Sequence, residues 1–162
     1  MGVAGCGKST AGAAIAAAEG MPLVEGDDFH SAASRDKMAR GIALTDDDRG
    51  AWLDVLGTKL ASHQQGVVLT CSALKRAYRD RLRAAAPGLR FVFLAIEREA
   101  ARERVGSRGA HFFSPHLVDS QFATLEPPVG EAGVLQVDAL APIPEIQRQV
   151  HAWLHGTDKD PT

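Results

Sequence analysis

The sequence predicts an α/β fold, a parallel sheet flanked by helices. Short apolar runs alternate with helical patterns from end to end, as parallel strands joined by covering helices require. A glycine-rich loop pattern also stands directly before a strong helix former, the arrangement in which a strand hands over to a helix through a phosphate-binding turn. The chain has 162 residues, 45% hydrophobic and 23% charged, which suits one domain with a sizeable core. We expect that domain to span residues 1–155 and the polar residues 156–162 to form a frayed tail. No repeat, low-complexity stretch or linker divides it.

Taken in order, residues 11–18 are alanine-rich and predict a helix directly behind the loop. Residues 21–25 are a weaker strand candidate. Thr45 followed by Asp46, Asp47 and Asp48 supplies a helix cap and acids that complement the dipole. Trp52, Leu53, Val55, Leu56 and Leu60 then recur at spacings that suit a buried helical face. Residues 67–71 and 91–94 read as buried strands, being short, rich in β-branched and aromatic residues, and bounded by glycine, proline or charge. Residues 133–138 are a fourth, weaker strand candidate. Further helices are expected at 73–86, 98–105, 115–125 and 144–154.

A formal net charge of -2 gives no global attraction to nucleic acid or anionic lipid, so any anion site must be built locally. The two cysteines, Cys6 and Cys71, lie far apart and lack metal-ligand spacing, which fits a reducing cytoplasm better than a disulfide framework. No apolar run approaches the roughly 18 residues of a membrane span, and no charged region with an apolar signal core opens the chain. We therefore expect a cytoplasmic protein without membrane or nucleic-acid partners.

Gly2, Val3, Ala4, Gly5, Cys6, Gly7, Lys8 and Ser9 match the eight-position P-loop pattern. Its glycines let backbone N–H groups converge on phosphate oxygens with no Cβ in the way. Lys8 is placed to hold the β- and γ-phosphates of ATP as a point charge, and Ser9 to ligate Mg²⁺. The following helix, with Thr10 in its first turn, directs its N-terminal dipole at the anion. The competing reading is a glycine-rich turn that matches by chance.

A P-loop normally follows a buried strand, and only Met1 precedes Gly2. Four buried strand side chains at about 1.5 to 3 kcal/mol each would contribute about 6 to 12 kcal/mol, comparable to the whole stability of a typical domain. The expectation is that the first strand is missing here and that Met1 is its last, internal residue.

The acceptor site must come from other charged clusters. Gly26-Asp27-Asp28-Phe29-His30 follows the first strand candidate, so its carboxylates emerge at a strand C-terminal end, where α/β sheets place ligands. Asp27 is the candidate general base and Asp28 the alternative, although either acid could cap a helix or face solvent. His30 is a substrate contact or an ordinary loop hydrogen-bonder.

With the P-loop, these residues resemble the gluconokinase family of small P-loop kinases, related in fold to shikimate and adenylate kinases. The resemblance is carried further by Leu44-Thr45-Asp46-Asp47-Asp48-Arg49 with Trp52-Leu53 and by Cys71-Ser72-Ala73-Leu74-Lys75-Arg76 with Tyr78-Arg79-Asp80. His111-Phe112-Phe113, Asp119-Ser120-Gln121-Phe122 and Thr124-Leu125-Glu126 complete it. Gly109-Ala110 departs from the charged residue and glycine more usual before His111. The resemblance implies transfer of the ATP γ-phosphoryl group to the 6-hydroxyl of D-gluconate, and suggests a homodimer.

Gluconate brings a carboxylate and a row of hydroxyls, so its pocket needs a cationic fork and hydrogen-bonding partners. Arg49 and Arg79 are the candidates for the fork, with a surface salt bridge as the alternative for each. Ser72 and Lys75 face the same crevice in this reading. Arg104 and Arg108 bracket a glycine-containing stretch before His111, which reads as a short helical lid over about residues 104–125 that closes on the nucleotide. Their alternative is a solvated helix end. Arg98 and Arg102 read as surface residues and Trp52 as core, while His111 is a candidate substrate contact, with lid packing alone as the alternative for it and for Phe112 and Phe113. The rivals to a gluconate kinase are a kinase acting on shikimate or a nucleoside monophosphate, a nucleotide-binding relative without catalysis, and an α/β domain whose loop binds no phosphate.

Overall fold

The computed structural model describes residues 1–107 and 115–156, with the backbone alone for Pro115. Helix α1 (Lys8–Glu19) leaves the glycine loop and stops at Gly20, whose left-handed φ of 65° suits a residue without a Cβ. Strand β1 (Leu23–Glu25) leads into a single 3-10 turn, Gly26–Phe29, and α2 (Ala32–Ala39) follows. Ser31 caps α2 by accepting the Ser34 N–H at 3.0 Å, so neither Asp27 nor Asp28 serves as that cap. Helix α3 (Asp46–Ser62) opens with the expected cap. Thr45 Oγ1 accepts the Asp48 N–H, and the Asp48 carboxylate accepts the Thr45 N–H at 2.9 Å, closing a capping box.

Strand β2 (Val68–Thr70), α4 (Arg76–Ala85), β3 (Phe91–Ala95), α5 (Arg98–Ser107), α6 (Pro115–Thr124), β4 (Val134–Asp138) and α7 (Ile143–Leu154) complete the chain. Each lies within a few residues of its expected position. Helix α2 had no counterpart in the sequence reading.

The strands pair in parallel as two halves, β1 with β2 and β3 with β4, in the registers Val24–Leu69 and Phe93–Gln136. Met1 and Gly2 run between the halves. The Met1 ammonium donates to Val92 O at 2.6 Å, Met1 O accepts Leu94 N–H at 3.0 Å, and Gly2 N–H donates to Ser72 O at 3.2 Å. The glycine loop is thereby fixed between β3 and the end of β2. One apolar cluster joins α1, α5, α6 and α7 across β3 and β4 through Ile15, Leu94, Ala101, Val118, Val137 and Val150. A second joins α3 and α4 to β2 and β3 through Trp52, Leu56, Cys71, Tyr78, Leu82 and Phe91. Helices thus flank two small parallel sheets, an α/β arrangement as expected. Among the described residues no helix is long and apolar enough to cross a membrane.

Candidate active site

The glycine loop turns on residues that other side chains would strain. Gly5 and Gly7 have φ of 85° and 87°, and Gly7 is the left-handed residue directly before α1. The turn leaves the first N–H groups of α1 without a side-chain cap, the condition in which a helix N-terminus favours an anion. Val3, Ala4 and Cys6 are buried beneath the loop. Lys8 Nζ folds across it to Val3 O at 3.0 Å, and Ala4 N–H donates to Gln121 Oε1 at 2.7 Å, tying the loop to α6. Ser9 and Thr10 are exposed in the first turn.

Ser9 Oγ donates to Glu25 Oε2 at 3.1 Å, and the same carboxylate oxygen accepts from Thr70 Oγ1 at 2.5 Å. One carboxylate and two hydroxyls therefore meet beside the loop. They are hard oxygen donors of the kind Mg²⁺ takes through one or two carboxylates and water. The donor set fits such an ion, with Ser9 and Glu25 as the groups to hold it. Glu25 was missed in the sequence because it reads as an ordinary strand end; its place as last residue of a strand beside the P-loop was the available signal.

Asp27 and Asp28 lie in the 3-10 turn at the C-terminal end of β1, both exposed. The turn is held from below. Trp52 Nε1 donates to Gly26 O at 2.8 Å, and a Cβ at Gly26 would fall 2.2 Å from Thr70 O, so only glycine lets β1 leave the sheet here. His30 is buried and stacks on Trp52 at 4.2 Å between ring centroids, with Nε2 3.8 Å from Asp27 Oδ1. Burial, its largest influence, pushes the His30 pKa below the ordinary imidazole value, against the pull of Asp27. His30 is therefore a neutral wall of the turn, and Trp52 belongs to the core as expected.

Arg49, the fourth residue of α3, is 8% exposed. Its Nη1 donates to Ser72 Oγ at 3.4 Å, and its guanidinium lies 5.9 Å from the Tyr78 ring centroid. Among the described residues no carboxylate lies within ion-pair distance of it. Arg49 also lines a small cavity of about 20 Å³ with Met38, Leu44, Ser120, Gln121 and Thr124, between α2, α3 and α6. Ser72, bonded to both Arg49 and Gly2, connects this cavity to the glycine loop.

Arg79 is a correction. The expected second arm of the fork is fully buried, and its N–H groups are consumed by protein acceptors. Nε donates to Glu131, Nη1 to Ala73 O and Leu74 O at 3.0 and 3.1 Å, and Nη2 to Glu131 and to Glu126 O. No donor is left for a substrate. Lys75 is committed as well, to both oxygens of Asp46 at 2.7 and 2.8 Å, and Tyr78 bonds the same carboxylate. Arg104 reaches from α5 to Ala139 O at 3.1 Å, and its Nη1 lies 3.9 Å from where a Cβ on Gly7 would stand. Arg104 is thus beside the loop. Arg102, half exposed, pairs with Asp119 across α5 and α6. Arg108, His111, Phe112 and Phe113 lie outside the described residues.

The profile of the AAA domain family matches residues 1–128. A probable gluconokinase of Mus musculus is 39% identical over 171 aligned residues, covering 93% of this chain and 92% of the relative. The thermosensitive gluconokinase of Escherichia coli K12 is 36% identical over 153 aligned residues, covering 92% and 82%. The crystal structure of a gluconokinase from Sinorhizobium meliloti 1021 superposes with a TM-score of 0.89 at 48% identity, covering 97% of this chain and 90% of that one.

Proposed function

The chain belongs to the gluconokinase family of P-loop proteins, and we propose that it transfers the γ-phosphoryl group of ATP to the 6-hydroxyl of D-gluconate, giving 6-phosphogluconate and ADP. The observation that carries the acceptor assignment is Arg49. A nearly buried guanidinium with one long hydrogen bond and no carboxylate partner among the described residues is costly to keep unless an anion joins it. The gluconate carboxylate supplies that anion, with Ser72 beside it.

The glycine loop binds the phosphates through its N–H groups, and Lys8 swings from Val3 O to the β- and γ-phosphates. Arg104, next to Gly7, supplies charge where the transferring group becomes more anionic; such an arginine contributes about 10³ to 10⁵ in rate in related phosphotransferases. Asp27 accepts the proton of the 6-hydroxyl or orients it. Its exposure leaves it free to approach substrate, and His30 and Trp52 hold its turn. Mg²⁺, held by Ser9 and Glu25, would neutralise phosphate charge when bound. Arg108 keeps the lid role and His111 the substrate contact expected from the sequence. We also expect a cytoplasmic homodimer.

Gluconate-dependent ADP formation in Mg-ATP tests the proposal. Activity with gluconate and little with shikimate or AMP is the expected result; ATP binding without turnover of gluconate would overturn it. Lys8→Ala should abolish ATP binding. Asp27→Asn should cost about 10² to 10⁴ in kcat, the usual contribution of a positioned base, while Asp28→Asn should not.

A further inference from the structure

We propose that Glu19, His151 and His155 form a site for a divalent cation of the zinc class, bridging the C-terminal ends of α1 and α7. The residues lie away from the glycine loop and no step of phosphoryl transfer uses them. His151 and His155 are four residues apart, one helical turn, so both rings leave the same face of α7 and its C-terminal cap. Glu19 is the last residue of α1. Its carboxylate reaches both rings, with Oε1 2.9 Å from His151 Nδ1 and Oε2 2.8 Å from His155 Nε2.

One ligand atom from each residue falls within 4.8 Å of the other two. Tetrahedral zinc, with bonds of about 2.0 to 2.2 Å, needs ligand atoms roughly 3.3 Å apart. The set must therefore contract at its widest edge and open where nitrogen and oxygen now stand 2.8 to 2.9 Å apart, and the two rings that must move are exposed. The histidine side chains are 61% and 54% exposed, whereas the Glu19 side chain is only 5% exposed and fixed between the helices. The rings already lie 4.4 Å apart between centroids, so small χ rotations bring both nitrogens toward one point.

Behind the cluster the helices are locked together. Gln147, one turn before His151, donates to Ala14 O at 2.8 Å, and Ile15 and Val150 share the core beneath. A buried carboxylate opposite two exposed imidazoles gives three protein ligands with a fourth position open to water. Two nitrogens and one carboxylate oxygen select zinc, copper or nickel over magnesium.

The test is calorimetric titration of the untagged chain with Zn²⁺ in excess Mg²⁺, alongside thermal unfolding with each metal. We expect one Zn²⁺ per chain that Mg²⁺ does not displace, and a melting midpoint raised by Zn²⁺ alone. Both effects should vanish in the His151→Ala, His155→Ala double variant. Because that variant strips the partners of Glu19, a second measurement uses the unaltered protein: Cu²⁺ bound at one equivalent should show electron-spin coupling to two imidazole nitrogens. Absence of Zn²⁺ uptake, uptake that survives in the double variant, or copper coupled to fewer than two imidazoles would each reduce the cluster to a hydrogen-bonded contact and overturn the proposal.

Discussion

Arg49 and Arg79 each occupy the fourth position of a helix, α3 and α4, and both are buried. Their surroundings divide them. Arg79 has the Glu131 carboxylate and three backbone carbonyls, whereas Arg49 has a serine hydroxyl and the edge of a cavity. The two arginines should therefore fail differently. Arg49→Ala removes a charge-assisted contact to the acceptor worth about 1.5 to 3 kcal/mol, which raises the KM for gluconate about 10- to 100-fold. The KM for ATP should stay unchanged, and steady-state kinetics in both substrates separate the two. Arg49→Lys should recover only part of the loss, because a point charge cannot reproduce the guanidinium fork. Arg79→Ala instead leaves the Glu131 carboxylate buried without its main partner, at a cost of about 3 to 5 kcal/mol of stability, read as a lower denaturation midpoint. A rise in gluconate KM for a well-folded Arg79→Ala protein would restore Arg79 to the acceptor site.

Among the elements, α4 depends on this ion pair. Glu131 lies in the segment between α6 and β4 and receives both Arg79 and Arg83, which ties α4 to that segment. The hydrogen bonds, led by Arg79, depress the Glu131 carboxyl to about 2. A carboxyl depressed in the folded state contributes stability that is fully present above its unfolded value, near 4.5, and is lost as pH falls through about 2. The melting midpoint should therefore drop across that window, and Glu131→Gln should start lower and decline less steeply over it. Equal slopes would show that Glu131 does not carry this acid sensitivity. None of this was legible in sequence, because Arg79 and Glu131 stand 52 residues apart, Arg79 reads first as an arm of the acceptor fork, and no motif marks Glu131. Helix α2 escaped for a different reason. Its sequence AASRDKMA buries only Ser34, so it has no apolar periodicity, and it stands on its Ser31 cap and the Lys37–Asp48 pair. What sequence did reveal were features whose signal is local: the glycine loop, the Thr45 cap, and strands with short apolar runs. Arg49 and Asp27 are proposed from their neighbours in motifs, while Glu25 carries no mark except its position at a strand end.

At the scale of the whole molecule, the sheet is two halves with a slot between them. Among the described residues only Met1 bonds to the facing edge of β3, and beyond it lies an apolar cavity of about 640 Å³. Ile15 and Ala11 of α1, Leu69, Phe91, Val92 and Trp153 are among the residues lining it. The Met1 ammonium sits buried at the slot's closed end, its pKa lowered chiefly by desolvation. That is an expensive place for a charge and a suitable one for a peptide N–H. The walls of the slot suit alternating β-branched side chains on both faces. Joining four such residues ahead of Met1 should place a central parallel strand between β2 and β3. Burying their side chains contributes about 6 to 12 kcal/mol, and ordering four backbone units costs about 4 to 8 kcal/mol, so a net gain of a few kcal/mol is expected. Thermal unfolding would register this as a midpoint higher by several degrees, at about 2 to 8 °C per kcal/mol for domains of this range of size. A segment of the same length made of glycine and serine should give no such rise. If the apolar segment also leaves the midpoint unchanged, the slot closes by movement of the two halves toward each other.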